Sequence, residues 1–276
     1  MQTEIAILQY LESIRTPFLN MLIETGTFSA ELIFLGAIIV ALYWCVDKDF
    51  AYKLVFIVLV NALLTSCIKA IVRKPRPFEL GIVRPLRVHT ASGYSFPSGH
   101  TSTAASFWGG AYSLIKNKSM LIVAVIMTLF VGFTRLYLGV HFPIDVIGGI
   151  LVGIISIIIA NYIIANDKWL LWILGFLTLM ALVFPVSEEV MMSIGSLFGL
   201  VSGVAFEKKY VDMKVQTTFK NQIAKIIIGI VGTGLIYVAI EATTLDIKIV
   251  DIIKYILLIW YVTAGAPYIF KKLKIA

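Results

Sequence analysis

The sequence predicts an all-α integral membrane protein, and three observations lead there. Of 276 residues, 59% are hydrophobic and only 14% are charged, against roughly 25% charged in an average soluble domain, and the mean hydropathy is +0.94. Apolar runs long enough to cross about 30 Å of hydrocarbon, which takes roughly 17–25 helical residues, recur from one end of the chain to the other. The lysines and arginines fall mainly in short loops between those runs, where they act as topology signals.

The chain opens on QTEIAILQYLESIRTPFLNMLIE (2–24), in which Glu4, Glu12, Arg15 and Glu24 interrupt the apolar positions and Pro17 breaks the helix. This suits an interfacial or re-entrant helix better than a span. It also lacks the basic start and small-residue cleavage site of a signal peptide. Spans are expected at 28–46, 50–71, 99–115, 119–138, 143–166, 168–186, 189–206, 222–243 and 250–270. The lysine-rich stretch EKKYVDMKVQTTFK (207–220) is the clearest internal boundary. It separates a front half that carries recognisable chemistry from a rear half that carries none. Cys45 and Cys67 fall within spans and read as small buried hydrophobes, so neither a disulfide framework nor a cysteine metal site is expected. Gly232, Gly234 and Gly265 read as allowances for close helix packing.

A net charge of +7 raises the question of nucleic acid, but the cations are loop residues between spans, and no nucleic-acid partner is expected. Assigning the 23 basic residues to the two membrane sides gives 13 against 10. Seven of the ten are Lys69, Arg73, Lys74, Arg76, Arg84, Arg87 and Arg135, gathered in or beside the long loop at 72–98 and its neighbour. Setting those aside as binding residues leaves 13 against 3, which puts the first side in the cytoplasm and turns the long loop outward. A loop of that length in a compact membrane domain is more often functional than idle.

Three clusters carry the chemistry, all on the loop side. In KAIVRKPRP, Lys69 ends the second span, Arg76 follows seven residues later, and Pro75 and Pro77 keep the helix exit extended. In SFPSGHTSTAAS (95–106), Pro97 ends the loop, Ser98 is a natural N-cap, Gly99 lets a ligand approach the backbone, and a helix is expected to start at His100 or Thr101. Such a first turn offers unpaired N–H groups and partial positive charge, an anion site. Starting a helix needs only the proline, serine and glycine; it gives no reason for an imidazole there. In TRLYLGVHFPID, Arg135 closes a span, His141 lies in a short loop, and Asp145 lies four residues further on the same helical face. A carboxylate against one imidazole nitrogen fixes the tautomer and leaves the other nitrogen as nucleophile or base. Alone, a His-x-x-x-Asp pair is more often structural; its neighbours favour chemistry. Ionisable groups at membrane depth are costly and functional by default. Lys69, Arg76 and Arg135 with one helix N-terminus suit a phosphate dianion or pyrophosphate, and two histidines supply covalent and acid–base chemistry. With Asp145 the one carboxylate clearly in place and no metal-ligand spacing, a site with no metal and no cofactor is expected.

The order K-x6-R-P, P-S-G-H, R-x5-H-x3-D resembles the three-part signature of the type-2 phosphatidic acid phosphatase superfamily, whose members include membrane lipid phosphatases, acid phosphatases and vanadium haloperoxidases. The resemblance implies a six-helix core over residues 1–166, made of the N-terminal interfacial helix and five spans. About four additional C-terminal transmembrane helices follow at 167–276. It further implies that His141 attacks phosphorus, Asp145 orients it and His100 protonates the leaving oxygen. Lys69, Arg76, Ser98, the Gly99 amide and Arg135 would hold the phosphate. Spacing alone favours His141 as nucleophile because of Asp145; the division of labour between the histidines comes from the family. Relatives usually carry serine before the third-motif arginine, where Thr134 stands here, and either hydroxyl can donate to phosphate.

The implied function is a membrane lipid phosphatase in a bacterial cytoplasmic membrane with an outward-facing site. The implied substrates are undecaprenyl pyrophosphate, phosphatidylglycerol phosphate or phosphatidic acid, in that order. Two rivals stand beside it: a phosphotransferase with an alcohol acceptor, and a lipid-binding or transport protein whose cradle only binds. Arg73, Lys74, Arg84 and Arg87 read equally as a second phosphate subsite or as attraction to anionic lipid. His89 reads as a solvated loop residue. A wider lipid groove, a homodimer interface or coupling to another activity are open uses for the rear helices.

Overall fold

The structure, a computed structural model, describes residues 2–91, 93–166, 170, 172, 174, 187–242 and 248–276. All of the expected span at 168–186 except residues 170, 172 and 174 lies outside the described residues. The described helices are numbered in chain order, and no strand occurs among the described residues. Helix α1 is Gln2–Ser13 and α2 is Pro17–Thr27. Pro17 takes the first helical position, where its missing N–H costs nothing, and the Thr16 side chain accepts the Leu19 N–H at 3.3 Å. A 3₁₀ turn, Phe28–Ala30, leads into α3, Leu32–Cys45. The apolar run at 28–46 therefore becomes helix four residues later than expected, because its first residues close α2.

Helix α4 is Lys48–Val72, capped where Asp47 Oδ1 accepts the Asp49 and Phe50 N–H groups at 3.0 and 2.9 Å. Then come α5, Gly99–Ile115; α6, Lys118–Tyr137, with Asn117 accepting the Met120 N–H at 2.7 Å; and α7, Pro143–Ala165. The rear helices are α8, Glu188–Phe206, continued by a π-helical turn at Glu207–Val211, and α9, Phe219–Glu241. Last are α10, Lys248–Trp260, a second π-helical turn at Tyr261–Gly265, and α11, Ala266–Lys272. Among the described residues six helices are long and apolar enough to cross a membrane, and the bent pair 17–30 and 33–45 makes a seventh. Helix α5, with 17 residues, spans about 25 Å, close to the hydrocarbon thickness.

The chain divides into two compact units. The first, residues 1–35 and 60–160, is the one that holds the three motifs. In it the N-terminal helices pack on α6 and the loop that follows: Ile23, Tyr137, Leu138 and Val140 form one buried cluster, and Ala30, Ala104 and Val131 another. Helix α7 meets α5 through glycines. A Cβ on Gly149 would lie 2.7 Å from the Ser98 carbonyl oxygen, and one on Gly153 would lie 2.5 Å from Ala105 Cβ. In hydrocarbon, where burial gives no hydrophobic drive, close approach of this kind supplies the packing energy. Arg15 ties the N-terminal helices to the far end of α6, donating through Nε to the Tyr137 carbonyl at 3.0 Å and through Nη1 to the Arg84 carbonyl at 2.5 Å.

The second unit, residues 36–59 and 161–276, repeats the device. Gly195, Gly199 and Gly203, spaced by four on α8, face α10 and the turn after it so tightly that Cβ atoms on the first two would lie 2.6 Å from the Ile252 and Ile256 carbonyl oxygens. Gly232 and Gly265 both face Tyr261, whereas Gly234 has nothing within 4 Å, so the packing role expected for it does not hold. Lys225 is fully buried and donates to the carbonyls of Trp44, Lys214 and Val215 at 3.2, 3.1 and 2.8 Å. Buried Glu207 pairs with Lys48 at 3.1 Å. Cys45 and Cys67 are free thiols.

Candidate active site

All eight residues singled out by sequence lie in the first unit, between the C-terminal end of α4, the loop at 73–98, the start of α5, the end of α6 and the 138–145 turn. The loop leaves α4 at Arg73, which has a left-handed φ of 50°, and the prolines on either side of Arg76 hold that residue in extended backbone. Arg76 is 1% exposed. Its Nη1 donates to the Val140 carbonyl at 2.9 Å and lies 3.3 Å from His141 Nε2, and its Nε donates to the Gly93 carbonyl at 2.9 Å. Burial lowers its pKa, opposed by the charges of Glu79 and Asp145, and a guanidinium stays protonated throughout.

His141 is fully enclosed, and its pKa is pulled down to about 3, first by burial and then by the charges of Arg76 and Arg135, against the opposing pull of Asp145. It is therefore neutral at ordinary pH. Because arginine only donates, the nitrogen facing Arg76 holds the lone pair, and Nδ1 carries the proton toward Asp145. The Nδ1 to Asp145 Oδ2 distance is 3.7 Å, outside hydrogen-bond range. Asp145 is instead held by other donors. Its Oδ1 accepts Lys74 Nζ at 2.8 Å, and its Oδ2 accepts Ser95 Oγ at 2.5 Å and the Phe142 N–H at 2.8 Å.

Helix α5 begins at Gly99, one residue earlier than expected. Ser98 occupies the cap position, but its hydroxyl pairs with Thr101 Oγ1 at 2.9 Å instead of accepting a backbone N–H, and its own N–H donates to the Asp145 carbonyl at 2.9 Å. The start of α5 is thus bonded to the start of α7. Lys69 Nζ lies 3.9 Å from the place a Cβ on Gly99 would occupy, so glycine leaves the ammonium next to the bare start of α5. Asn61 and Thr65, two turns and one turn before Lys69 on the same face of α4, meet Ser102 Oγ at 3.3 and 3.0 Å, and Ser102 donates to the Gly99 carbonyl at 3.0 Å. His100 feels the charges of Arg135, His141, Lys69 and Arg76, which places it within the same cluster.

Arg135 is fully buried, its Nη1 donating to Thr27 Oγ1 at 3.1 Å and its Nη2 to Thr90 Oγ1 at 3.3 Å. Thr134, which stands where relatives carry serine, donates to Thr27 Oγ1 and to the Val131 carbonyl. Its hydroxyl is spent within the helix packing. Lys74 and Arg87, read from sequence as lipid or second-phosphate cations, form internal pairs: Lys74 with Asp145, and Arg87 with Glu31 at 2.6 Å. His89, Arg84 and Arg73 are exposed. Thr27, Thr90 and Ser95 escaped the sequence reading, and Lys74 was read there only as a cation for an external phosphate or lipid, since each gains its partner only through folding. Ser95 alone had a signal, its place at the head of the PSGH stretch.

A helical membrane bundle gathers two buried arginines and a buried histidine beside half-buried Lys69 and His100 at a helix N-terminus. The comparisons with known proteins name the class. Residues 50–169 match the PAP2 superfamily, and residues 191–276 match the PAP2 superfamily phosphatase transmembrane extension. The chain belongs to the PAP2 superfamily. It is 38% identical over 104 residues to phosphatidylglycerophosphatase B of Bacillus subtilis, covering 34% of this chain and 48% of the relative. It is 39% identical over 82 residues to undecaprenyl-diphosphatase BcrC of the same organism, covering 30% and 41%. The chain thus spans about half the length of these curated relatives. Among solved structures, the first transmembrane PAP2-type phosphatidylglycerolphosphate phosphatase from Bacillus subtilis superposes with a TM-score of 0.52 at 28% identity, over 60% of this chain and 87% of that one.

Proposed function

We propose that the protein is a metal-independent membrane lipid phosphatase that hydrolyses a lipid phosphate or pyrophosphate through a phosphohistidine. The observation that carries this reading is a buried neutral histidine with one nitrogen against a guanidinium and the other toward a carboxylate. His141 Nε2 attacks phosphorus, the P–N bond forms as the P–O bond to the leaving group breaks, and His100 gives its proton to the departing oxygen. His100 then takes a proton from water, whose oxygen displaces Nε2 and releases phosphate. Asp145 faces the ring as it becomes cationic. Lys69, Arg76, Ser98, the Gly99 amide and Arg135 hold the phosphoryl oxygens, and a donor set made of cations suits an anion and repels a metal ion.

Undecaprenyl pyrophosphate is the first substrate to test, followed by phosphatidylglycerol phosphate and phosphatidic acid. The two relatives above act, by name, on the first two of these. Residues 1–166 form the phosphatase-like core in this reading, with residues 167–276 as an extension of it. The site faces outward across a bacterial cytoplasmic membrane, as the loop charges favour.

Phosphate release by purified protein in detergent with excess chelator tests the proposal. Release from one of the three lipids that falls by about 10³-fold or more in His141→Ala, the size expected for loss of a nucleophile, together with an acid-labile phosphoprotein in the wild type, is the expected result. Phosphate transferred to an added alcohol in place of water would point to the transferase. No turnover of any lipid by folded protein would leave a binding role.

A further inference from the structure

We propose that Lys74 and Ser95, neither of which is a signature position of the three motifs, are positioning residues that hold the Asp145 carboxylate against His141. The proposal rests on the phosphohistidine reading and assigns a part to two residues that reading leaves unused.

Both oxygens of Asp145 are occupied, Oδ1 by Lys74 Nζ and Oδ2 by Ser95 Oγ and the Phe142 N–H. The two side chains act together, because the Ser95 N–H donates to the Lys74 carbonyl at 2.8 Å. Lys74 Nζ also lies 4.3 Å from the centre of the Phe142 ring, one residue from the nucleophile. The Asp145 carbonyl in turn receives the Ser98 N–H, so the same aspartate carries the register between the histidine turn and the phosphate-binding helix start. Lys74, Asp145, Ser95 and the 74–95 backbone close a ring of bonds around one carboxylate.

That ring has a chemical consequence. A carboxylate held by an ammonium, a hydroxyl and an amide is anionic and fixed in direction, and it shares its charge with Lys74 before it meets the imidazole. Its pull on the His141 proton is therefore weak while the ring is neutral, which preserves the nucleophile. The attraction grows once the P–N bond makes the ring cationic, so stabilisation is concentrated where charge develops. His141 is also faced by Arg76, with Glu79 beside it in the loop, by Arg135 of α6 and by His100 of α5, which itself feels the Lys69 charge from α4. All of these stay in place when Lys74 is changed. With Lys74 removed, Asp145 pulls undivided on His141, and the acid-side fall in activity moves to higher pH.

The test compares Lys74→Met, Lys74→Arg and Ser95→Ala in detergent, on the lipid that the wild type turns over. In Lys74→Met, kcat is expected to fall about 10- to 100-fold, the usual size for removing a supporting partner, with KM changed little. Its acid limb should shift upward by about one pH unit, the low end of what a neighbouring charge does. Lys74→Arg keeps the charge and should restore both the limb and most of kcat. Ser95→Ala removes one hydroxyl, preserves the fold, and should lower kcat without moving KM. If Lys74→Met fails to fold, the Ser95→Ala and Lys74→Arg profiles decide the matter. Wild-type kcat in Ser95→Ala, or a kcat loss in Lys74→Met with an unmoved acid limb and no rescue by arginine, overturns the proposal. A wild-type protein that releases no phosphate defeats the phosphatase reading first. An active wild type with a dead His141→Ala and unaltered Lys74 and Ser95 variants defeats only this inference.

Discussion

Arg76 Nη1 lies 3.3 Å from His141 Nε2, the nitrogen whose lone pair is the candidate nucleophile. Arginine offers no acceptor, so the contact selects the tautomer with the proton on Nδ1, facing Asp145. In the proposed phosphatase the same guanidinium would bind phosphoryl oxygens, and an arriving phosphate would draw it off the lone pair and free the nucleophile in one movement.

This geometry makes Arg76→Lys a severe change despite the conserved charge. A lysine presents one point charge, whereas Arg76 spans the Gly93 carbonyl, the Val140 carbonyl and His141 at once. The expected loss in kcat/KM is about 10²-fold or more, as for removal of one preorganised donor at other sites. Steady-state kinetics on the best lipid check it, and activity within threefold of wild type would defeat the two-part role.

His141 also links pH to stability. Its folded pKa of about 3 lies below the ordinary imidazole value of 6.5. Between those values the unfolded chain binds a proton that the folded chain does not. Stability is therefore fully present above pH 6.5 and is lost as pH falls toward 3. Thermal unfolding in detergent across that range should show an acid-side decline that becomes shallower in His141→Asn. Equal slopes in the two proteins would mean that the imidazole is not held neutral.

Thr27 ties the N-terminal helices to Arg135, one of the proposed phosphate-binding residues. Its hydroxyl oxygen receives Arg135 Nη1 and Thr134 Oγ1, both at 3.1 Å, in a fully buried setting. Thr27→Val keeps the shape and leaves a buried guanidinium short of an acceptor, a cost of about 1–3 kcal/mol. A lower unfolding temperature and a several-fold higher KM are expected, with Thr27→Ser close to wild type. An unchanged KM in the valine variant would detach Thr27 from substrate binding.

What the sequence made legible follows from the range of the interactions. Helices announce themselves by hydropathy over one turn after another, and the three motifs stand out because each is contiguous and places costly ionisable groups at membrane depth. The ties that hold the site are non-local: Lys74 reaches Asp145 across 71 residues and Arg135 reaches Thr27 across 108. No local spacing encodes them. The boundary differences have the same origin. Hydropathy ran 28–46 as one span because Phe28 is as apolar as its successors, while the backbone spends 28–30 on a 3₁₀ turn. It also had no means of seeing that the Ser98 N–H would find the Asp145 carbonyl and let α5 start at Gly99.

The last prediction separates the packing of α7 on α5 from catalysis. Gly149 sits against the turn that carries the proposed phosphate-binding amide of Gly99: a Cβ there would lie 2.7 Å from the Ser98 carbonyl oxygen and 3.1 Å from Thr101 Cβ. Gly153, one turn away, would meet Ala105 Cβ and the Ser102 carbonyl, away from the cradle. Alanine at either position overpacks the interface by one methyl, which costs about 1–3 kcal/mol. Only Gly149→Ala displaces the Ser98–Gly99 backbone, so it should lose most of its kcat/KM, whereas Gly153→Ala should lose stability with its turnover largely kept. Gly36→Ala in α3 is the control, since nothing lies within 4 Å of its added Cβ and helix propensity there favours alanine by up to about 1 kcal/mol. Unfolding temperature and kcat/KM measured on the three variants give the comparison. Equal loss of turnover in Gly149→Ala and Gly153→Ala would show that the start of α5 is not what the close approach of α7 holds in place.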